Sequence, residues 1–92
     1  MINDIVDVAY EVGRRRLTEG RCRATEAAVA VGLAVEPGWE PLWRLRILAA
    51  HEAGNRAAVI EAIDRLLAIT EALGSDLEPE TLALLEAVRP NG

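Results

Sequence analysis

The sequence predicts an all-α domain of five helices, arranged as two antiparallel helical hairpins followed by a C-terminal capping helix. Three observations predict it. Apolar residues recur at three- and four-residue spacing in five blocks, glycine and proline punctuate the chain between them, and no stretch alternates as a half-buried strand does. Composition agrees: 16 Ala and 12 Leu stand against two Trp, one Tyr and no Phe. Ala and Leu are strong helix formers, and small side chains let helices approach closely. With 92 residues, 51% of them hydrophobic, the chain suffices for one small domain and not for two.

The first helix is expected to start near Asn3, a good N-cap, with Asp4 in its first turn, and to end at Gly20. Ile5, Val8, Ala9 and Val12 follow the helical i, i+3, i+4, i+7 spacing, and Val6, Tyr10 and Leu17 extend the apolar surface around the side. A second helix, from Cys22 to Glu36, carries Ala24, Ala28, Val31 and Val35 on one side and is broken by Pro37 and Gly38. The third begins around Glu40 and Pro41, turns Leu42, Leu45, Leu48 and Ala49 inward, and stops at Gly54. The fourth, Arg56 to Leu73, has a broad stripe of Val59, Ile63, Leu66, Leu67 and Ile69, with Glu61, Asp64 and Arg65 facing out.

The segment "LGSDLEPET", Leu73 to Thr81, then reads as a stop and a start. Gly74 supplies the left-handed residue after the fourth helix, and Pro79 opens the fifth, where its missing N–H costs nothing. Glu78 falls at the N-cap and Glu80 in the first turn, near the positive end of the helix dipole. Leu77 and Leu82 have the spacing of a hydrophobic staple, and Leu82, Leu85 and Val88 share one face. Asp76, Glu78 and Glu80 match positions 1, 3 and 5 of a calcium loop, but Thr81 and Ala87 stand where that loop needs glycine and glutamate. No calcium site is expected.

An internal repeat organises these helices. "GRCRATEAAVAVGLAVEP" from Gly20 aligns with "GNRAAVIEAIDRLLAITE" from Gly54. The offset between the two glycines is the period of tetratricopeptide repeats, roughly 34 residues. Five positions are identical, among them Gly20 with Gly54 and Leu33 with Leu67. In the first unit Gly13, Val29 and Pro37 fill the glycine, large-residue and proline slots of that motif; in the second, Trp43 fills the tryptophan slot. Arg46, Ala50 and Glu71 depart from it. The expected fold is therefore a tetratricopeptide-like stack of two degenerate repeats sharing one core.

Beyond the repeat, "GNRAAVIEAIDRLLAITEALGSDLEPETLALLEAV" resembles the bacterial transcriptional activator domain, a tetratricopeptide-like module found beside a winged-helix domain in actinobacterial regulators. The "GNRA" turn, Gly54 to Ala57, and the "LGSDLEPET" turn carry the likeness. The upstream segments look like the version found in large multidomain proteins, some with LysM domains. The resemblance implies a protein-interaction or regulatory-coupling module and a chain that forms one domain of a longer protein; a cytoplasmic location is expected, since the lone Cys22 fits a reducing compartment.

The residues exclude several function classes. A formal net charge of −5 does not suit a chain that must displace counterions from duplex DNA, and the one basic run, Arg14 to Arg16, follows Asp7 and Glu11, with Glu11 and Arg15 at pairing distance. Direct DNA binding is the alternative function. Neither a signal peptide nor an apolar run of membrane-spanning length is present, and Cys22 is the only cysteine. One histidine, His51, one serine, Ser75, and one cysteine give no catalytic or zinc constellation, so no enzyme activity, metal or cofactor is expected. Trp43 is expected between helices and Trp39 in a partly exposed turn.

Carried over from tetratricopeptide-like stacks, the concave side falls to the first helix of each pair. It would hold Asp7, Tyr10 and Arg14 from the first helix and Arg44, Leu48 and His51 from the third. Tyr10 and Leu48 offer apolar contact, and Arg14 and Arg44 can hold a carboxylate; the alternative is that two repeats form no deep groove, and that Tyr10 and Leu48 join the core or the rest of a longer protein covers the first helix. The expected partner is a protein, either a neighbouring domain of the same chain or another polypeptide, with no nucleic-acid or membrane contact. An apolar edge near Ile2 and Val6 is a second candidate surface, through which the N-terminal helix could form a homodimer.

Overall fold

Gly20, Gly54 and Gly74 divide the chain where the sequence predicts, each with a positive φ of 76°, 71° and 69°. The computed structural model describes residues 3–88, except for the side chain of Asn3. The expected Asn3 side-chain cap and the Ile2 contact lie outside the described residues. Five helices and no strand are found among them: α1 (Asn3–Thr18), α2 (Cys22–Val35), α3 (Glu40–Glu52), α4 (Arg56–Leu73) and α5 (Pro79–Val88).

The two hairpin turns are the same device. After α1, the Gly20 amide donates to the Leu17 carbonyl and Arg21 to Arg16; after α3, Gly54 donates to His51 and Asn55 to Ala50. This is the Schellman pattern, which satisfies the last carbonyls of a helix through one left-handed residue. Asn55 then caps α4, its side chain accepting from the Ala58 amide at 3.1 Å. At Gly54 and Gly74 a Cβ would meet nothing within 4 Å, so any substitution penalty is one of backbone conformation alone. Gly54→Ala and Gly74→Ala should each destabilise the fold by about 1 kcal/mol in chemical denaturation.

Helix α3 is the hub, packing against α1, α2, α4 and α5, while α1 and α2 form the most extensive pair. It is buried nearly all round, through Leu42, Trp43, Leu45, Ile47, Ala49 and Ala50. Trp43 lies between helices as expected, 2% exposed, its indole N–H donating to the Pro37 carbonyl at 2.6 Å. Trp39 is half-buried and meets the Tyr10 ring edge-on at 5.9 Å. The molecule is flat, with extents of 43 × 34 × 19 Å.

Two helix faces differ from expectation. In α1 the buried residues are Val6, Ala9 and Gly13, whereas Ile5, Val8 and Val12 are exposed. In α2 they are Thr25, Val29, Gly32 and Leu33, whereas Val31 and Val35 are exposed and Ala24 and Ala28 half-buried. Close approach explains the choice. A Cβ at Gly32 would stand 2.5 Å from Leu42 Cδ1 and 2.9 Å from the Ala9 Cβ, and one at Gly13 would stand 3.1 Å from Leu45 Cδ1. The small-residue faces bring three helices into tighter contact than the bulkier stripes could, and tight packing is where dispersion gain is largest. Val6, expected on an exposed edge, is 1% exposed.

Smaller corrections follow the same logic. Leu67 is 41% exposed because the inward stripe of α4 is Val59, Ala62, Ile63, Leu66 and Thr70, and α5 docks on α3. Glu61, Asp64 and Arg65 face solvent as expected. In α5, Thr81, Leu85 and Val88 are buried while Leu82 is 51% exposed, so Leu82 does not staple inward to Leu77. Glu11 pairs with Arg14 at 3.0 Å rather than with Arg15.

At the offset of the sequence repeat, Ala9 and Trp43, Gly13 and Ile47, Thr25 and Val59, Val29 and Ile63, and Gly32 and Leu66 are buried pairs, whereas Leu33 is buried and Leu67 exposed, and Leu42 and Leu45 are buried where Val8 and Glu11 are exposed. A further step of the same length leads from Ile47 to Thr81, also buried, and from Trp43 to Leu77, half-buried against the core.

Candidate functional site

The N-terminus of α5 is tied to α3 by three contacts that define one side of the molecule. Pro79 opens α5, and the Glu78 carbonyl accepts from the Thr81 and Leu82 amides, closing the first turn. The Glu78 amide donates to the Glu40 carboxylate at 2.9 Å. The Glu78 carboxylate accepts from Arg44 Nη1 at 2.7 Å, and the same Nη1 donates to the Thr81 hydroxyl at 2.9 Å. The acid-rich turn is therefore a clasp between helices.

Its energetics are modest and ordered. The Arg44 and Glu78 side chains are 22% and 50% exposed, so water screens the ion pair. Glu78→Ala should cost under about 1 kcal/mol, the range of exposed pairs. Arg44→Ala also removes the charged donor from Thr81, a residue with no exposure, and should cost about 1–2 kcal/mol. Paired denaturation curves check the order.

The structure places the six expected partner-binding residues as follows. Asp7 is exposed on α1, Arg14 is exposed and paired with Glu11, and Tyr10 is half-buried against Trp39. On α3, Leu48 is half-buried and His51 exposed, whereas Arg44 is committed to Glu78 and Thr81. Helices α1 and α5 both pack on α3, so the six residues stand on neighbouring helices. A carboxylate arriving from a partner would have to displace Glu78 from Arg44, while Arg14 needs only to exchange an exposed neighbour.

Two residues missing from the sequence expectation join this register. Tyr10, Arg44 and Glu78 stand one repeat period apart in turn, as do Arg14, Leu48 and Leu82. The signal was present in the repeat period: one more step along the chain from Arg44 and Leu48 reaches both. Leu82 adds an exposed leucine where a stripe assignment had turned it inward.

At the far end of α3, His51 borders a shallow cleft with Asn55, Arg56, Val59, Ala87 and Val88. Among the described residues no group of three or more His, Cys, Asp or Glu is placed to hold a metal ion. No helix among them is long and apolar enough to cross a membrane. What this surface offers chemically is hydrogen bonding, charge and apolar contact. Comparison with protein-family models, with curated proteins and with solved structures finds no match to this chain.

Proposed function

We propose that the chain is a non-catalytic, tetratricopeptide-like module that binds a polypeptide on the side formed by α1, α3 and α5, and so couples partners in a transcription regulator or multidomain scaffold. The observation that carries this reading is that five pairs of residues one repeat offset apart, two between α1 and α3 and three between α2 and α4, are buried together. On this reading α5 is the first helix of a third unit, and the row Arg14, Leu48 and Leu82 gives a bound segment charge at one end and apolar contact at the other.

The resemblance to the bacterial transcriptional activator domain is part of the same proposal, with its cytoplasmic setting and its place in a longer chain. It is supported by what the resembling residues do. Asn55 caps α4, Gly74 is left-handed, Pro79 starts α5 and Thr81 receives Arg44.

Direct DNA binding gains no support from the basic run. Arg14 pairs with Glu11, and Glu19 lies 3.5 Å from Arg16 and 3.7 Å from Arg21, in a chain of net charge −5. The test is an electrophoretic shift of duplex DNA by the 92-residue chain at physiological salt. No shift is expected; a shift with a steep salt slope would overturn the proposal.

A further inference from the structure

Helix α2 from Ala27 to Val35 carries no polar side chain, yet only Val29, Gly32 and Leu33 of that run are buried. A helix apolar on every side is ordinarily covered on every side. Ala27 and Ala30 border a cleft shared with α3 and α4, whereas Val31 lies beside α1, whose Ile5, Val8 and Val12 are 51%, 60% and 37% exposed. Together with Ala28 and Val31 they line one open apolar groove, edged by Asp4. The first hairpin is thus apolar on both sides, and α3 covers one of them.

The repeat register shows what such a groove accepts. The positions one repeat period after Ile5, Val8 and Ala28 are Trp39, Leu42 and Ala62. In the second hairpin Leu42 and Ala62 are buried and Trp39 half-buried, and Leu42 lies against Gly32 of the first hairpin. The groove therefore fits a closely packed helix pair.

We propose that its occupant is a second copy of this chain, in a two-fold dimer with α1 antiparallel to α1. The charges of α1 select that arrangement. Its first half carries Asp4 and Asp7, and its second half carries Arg14, Arg15 and Arg16 with Glu11, which pairs with Arg14. Asp4, Glu11 and Arg15 follow the helical spacing that borders Val8 on one edge of the groove. Setting Val8 against Val12 of the second copy brings Asp4 of each copy to the Arg15 end of the other. A parallel pairing would set like charges together. Arg15 is exposed and has no ion pair among the described residues. An isologous contact of this kind closes on itself, so assembly stops at two. Asp7, Arg14 and the α3 residues of the proposed polypeptide-binding side lie outside this groove, so the two proposals fail independently.

Sedimentation equilibrium of the 92-residue chain over a wide concentration range tests the dimer. The unaltered chain should sediment as a monomer–dimer equilibrium. Val8→Glu with Val31→Glu should be monomeric throughout with unchanged helical circular dichroism, because both side chains are exposed already. Arg15→Glu alone should weaken dimerisation on the order of tenfold, since two-fold symmetry counts each exposed pair twice. Adding Asp4→Arg should restore it. A chain that stays monomeric at the highest concentration, as expected if a further helical hairpin of a longer protein fills the groove, would overturn the proposal. So would a dimer unaffected by Val8→Glu with Val31→Glu, or a charge reversal that fails to restore it.

Discussion

Trp43→Ala is expected to cost about 3–5 kcal/mol and to leave the chain barely folded at room temperature. The indole is 2% exposed in the hub helix, with the Arg46 guanidinium 5.4 Å from the ring centre and its N–H on the Pro37 carbonyl. Truncation removes the transfer free energy of the ring, opens a cavity between hairpins, and unties the α2–α3 turn. Domains of this size have only about 5–14 kcal/mol in total, so the loss is a large share. Trp43→Phe separates the contributions. It keeps most of the apolar volume and gives up the hydrogen bond to an exposed turn, where water can replace it. Its cost should be about 1–2 kcal/mol. Equal losses for the two variants in urea titrations would show that the Pro37 bond, and not ring burial, holds the hairpins together.

Enlarging Gly32 should be the most damaging small substitution. Taken as an isolated helix position, Gly32→Ala ought to stabilise by up to about 1 kcal/mol, because glycine is a poor helix former. Contact geometry reverses the sign. Leu42 Cδ1, at 2.5 Å from the added Cβ, can rotate only within a filled core, and the Ala9 Cβ at 2.9 Å is fixed to the α1 backbone. Helices α1 and α2 must separate, and overpacking of that kind costs about 1–3 kcal/mol. Net destabilisation of about 1–2 kcal/mol is expected for alanine and more for valine. Gly13→Ala is the internal comparison, since its nearest neighbours at 3.1 and 3.6 Å are side-chain ends of Leu45 and Val29. Its propensity gain and packing cost should nearly cancel. A stabilised Gly32→Ala protein, seen as a raised melting temperature, would mean that α1 and α2 are not in this close contact.

These residues also show what the sequence could and could not convey. Helix boundaries were legible because Gly20, Gly54, Gly74 and Pro79 have conformations that few other residues replace. Helix faces were not, because α1 and α2 each carry two apolar stripes and periodicity cannot rank them. It put Ala9 in one stripe with the bulkier Ile5, Val8 and Val12, whereas the buried face runs through Val6, Ala9 and Gly13, the last two of which contribute little to any hydrophobic pattern. Gly13 and Val29, assigned to motif slots by the repeat reading, are both buried, whereas Leu67, the repeat partner of buried Leu33, is exposed. For the candidate site, the register placed residues on helices and could not show that Arg44 is held by Glu78. That bond depends on α5 docking across α3, which no local spacing encodes, although the two residues are one period apart.

The central claim is that the side formed by α1, α3 and α5 receives a polypeptide. Site-specific photo-crosslinking in cells that express the protein tests it most directly. A crosslinking side chain is placed at Arg14 or His51 on that side, and at Glu61 or Asp64 on the exposed side of α4 as controls. The account predicts discrete protein adducts from Arg14 and His51 and none from Glu61 or Asp64. Adducts confined to the α4 positions, or crosslinks to nucleic acid in place of protein, would contradict it.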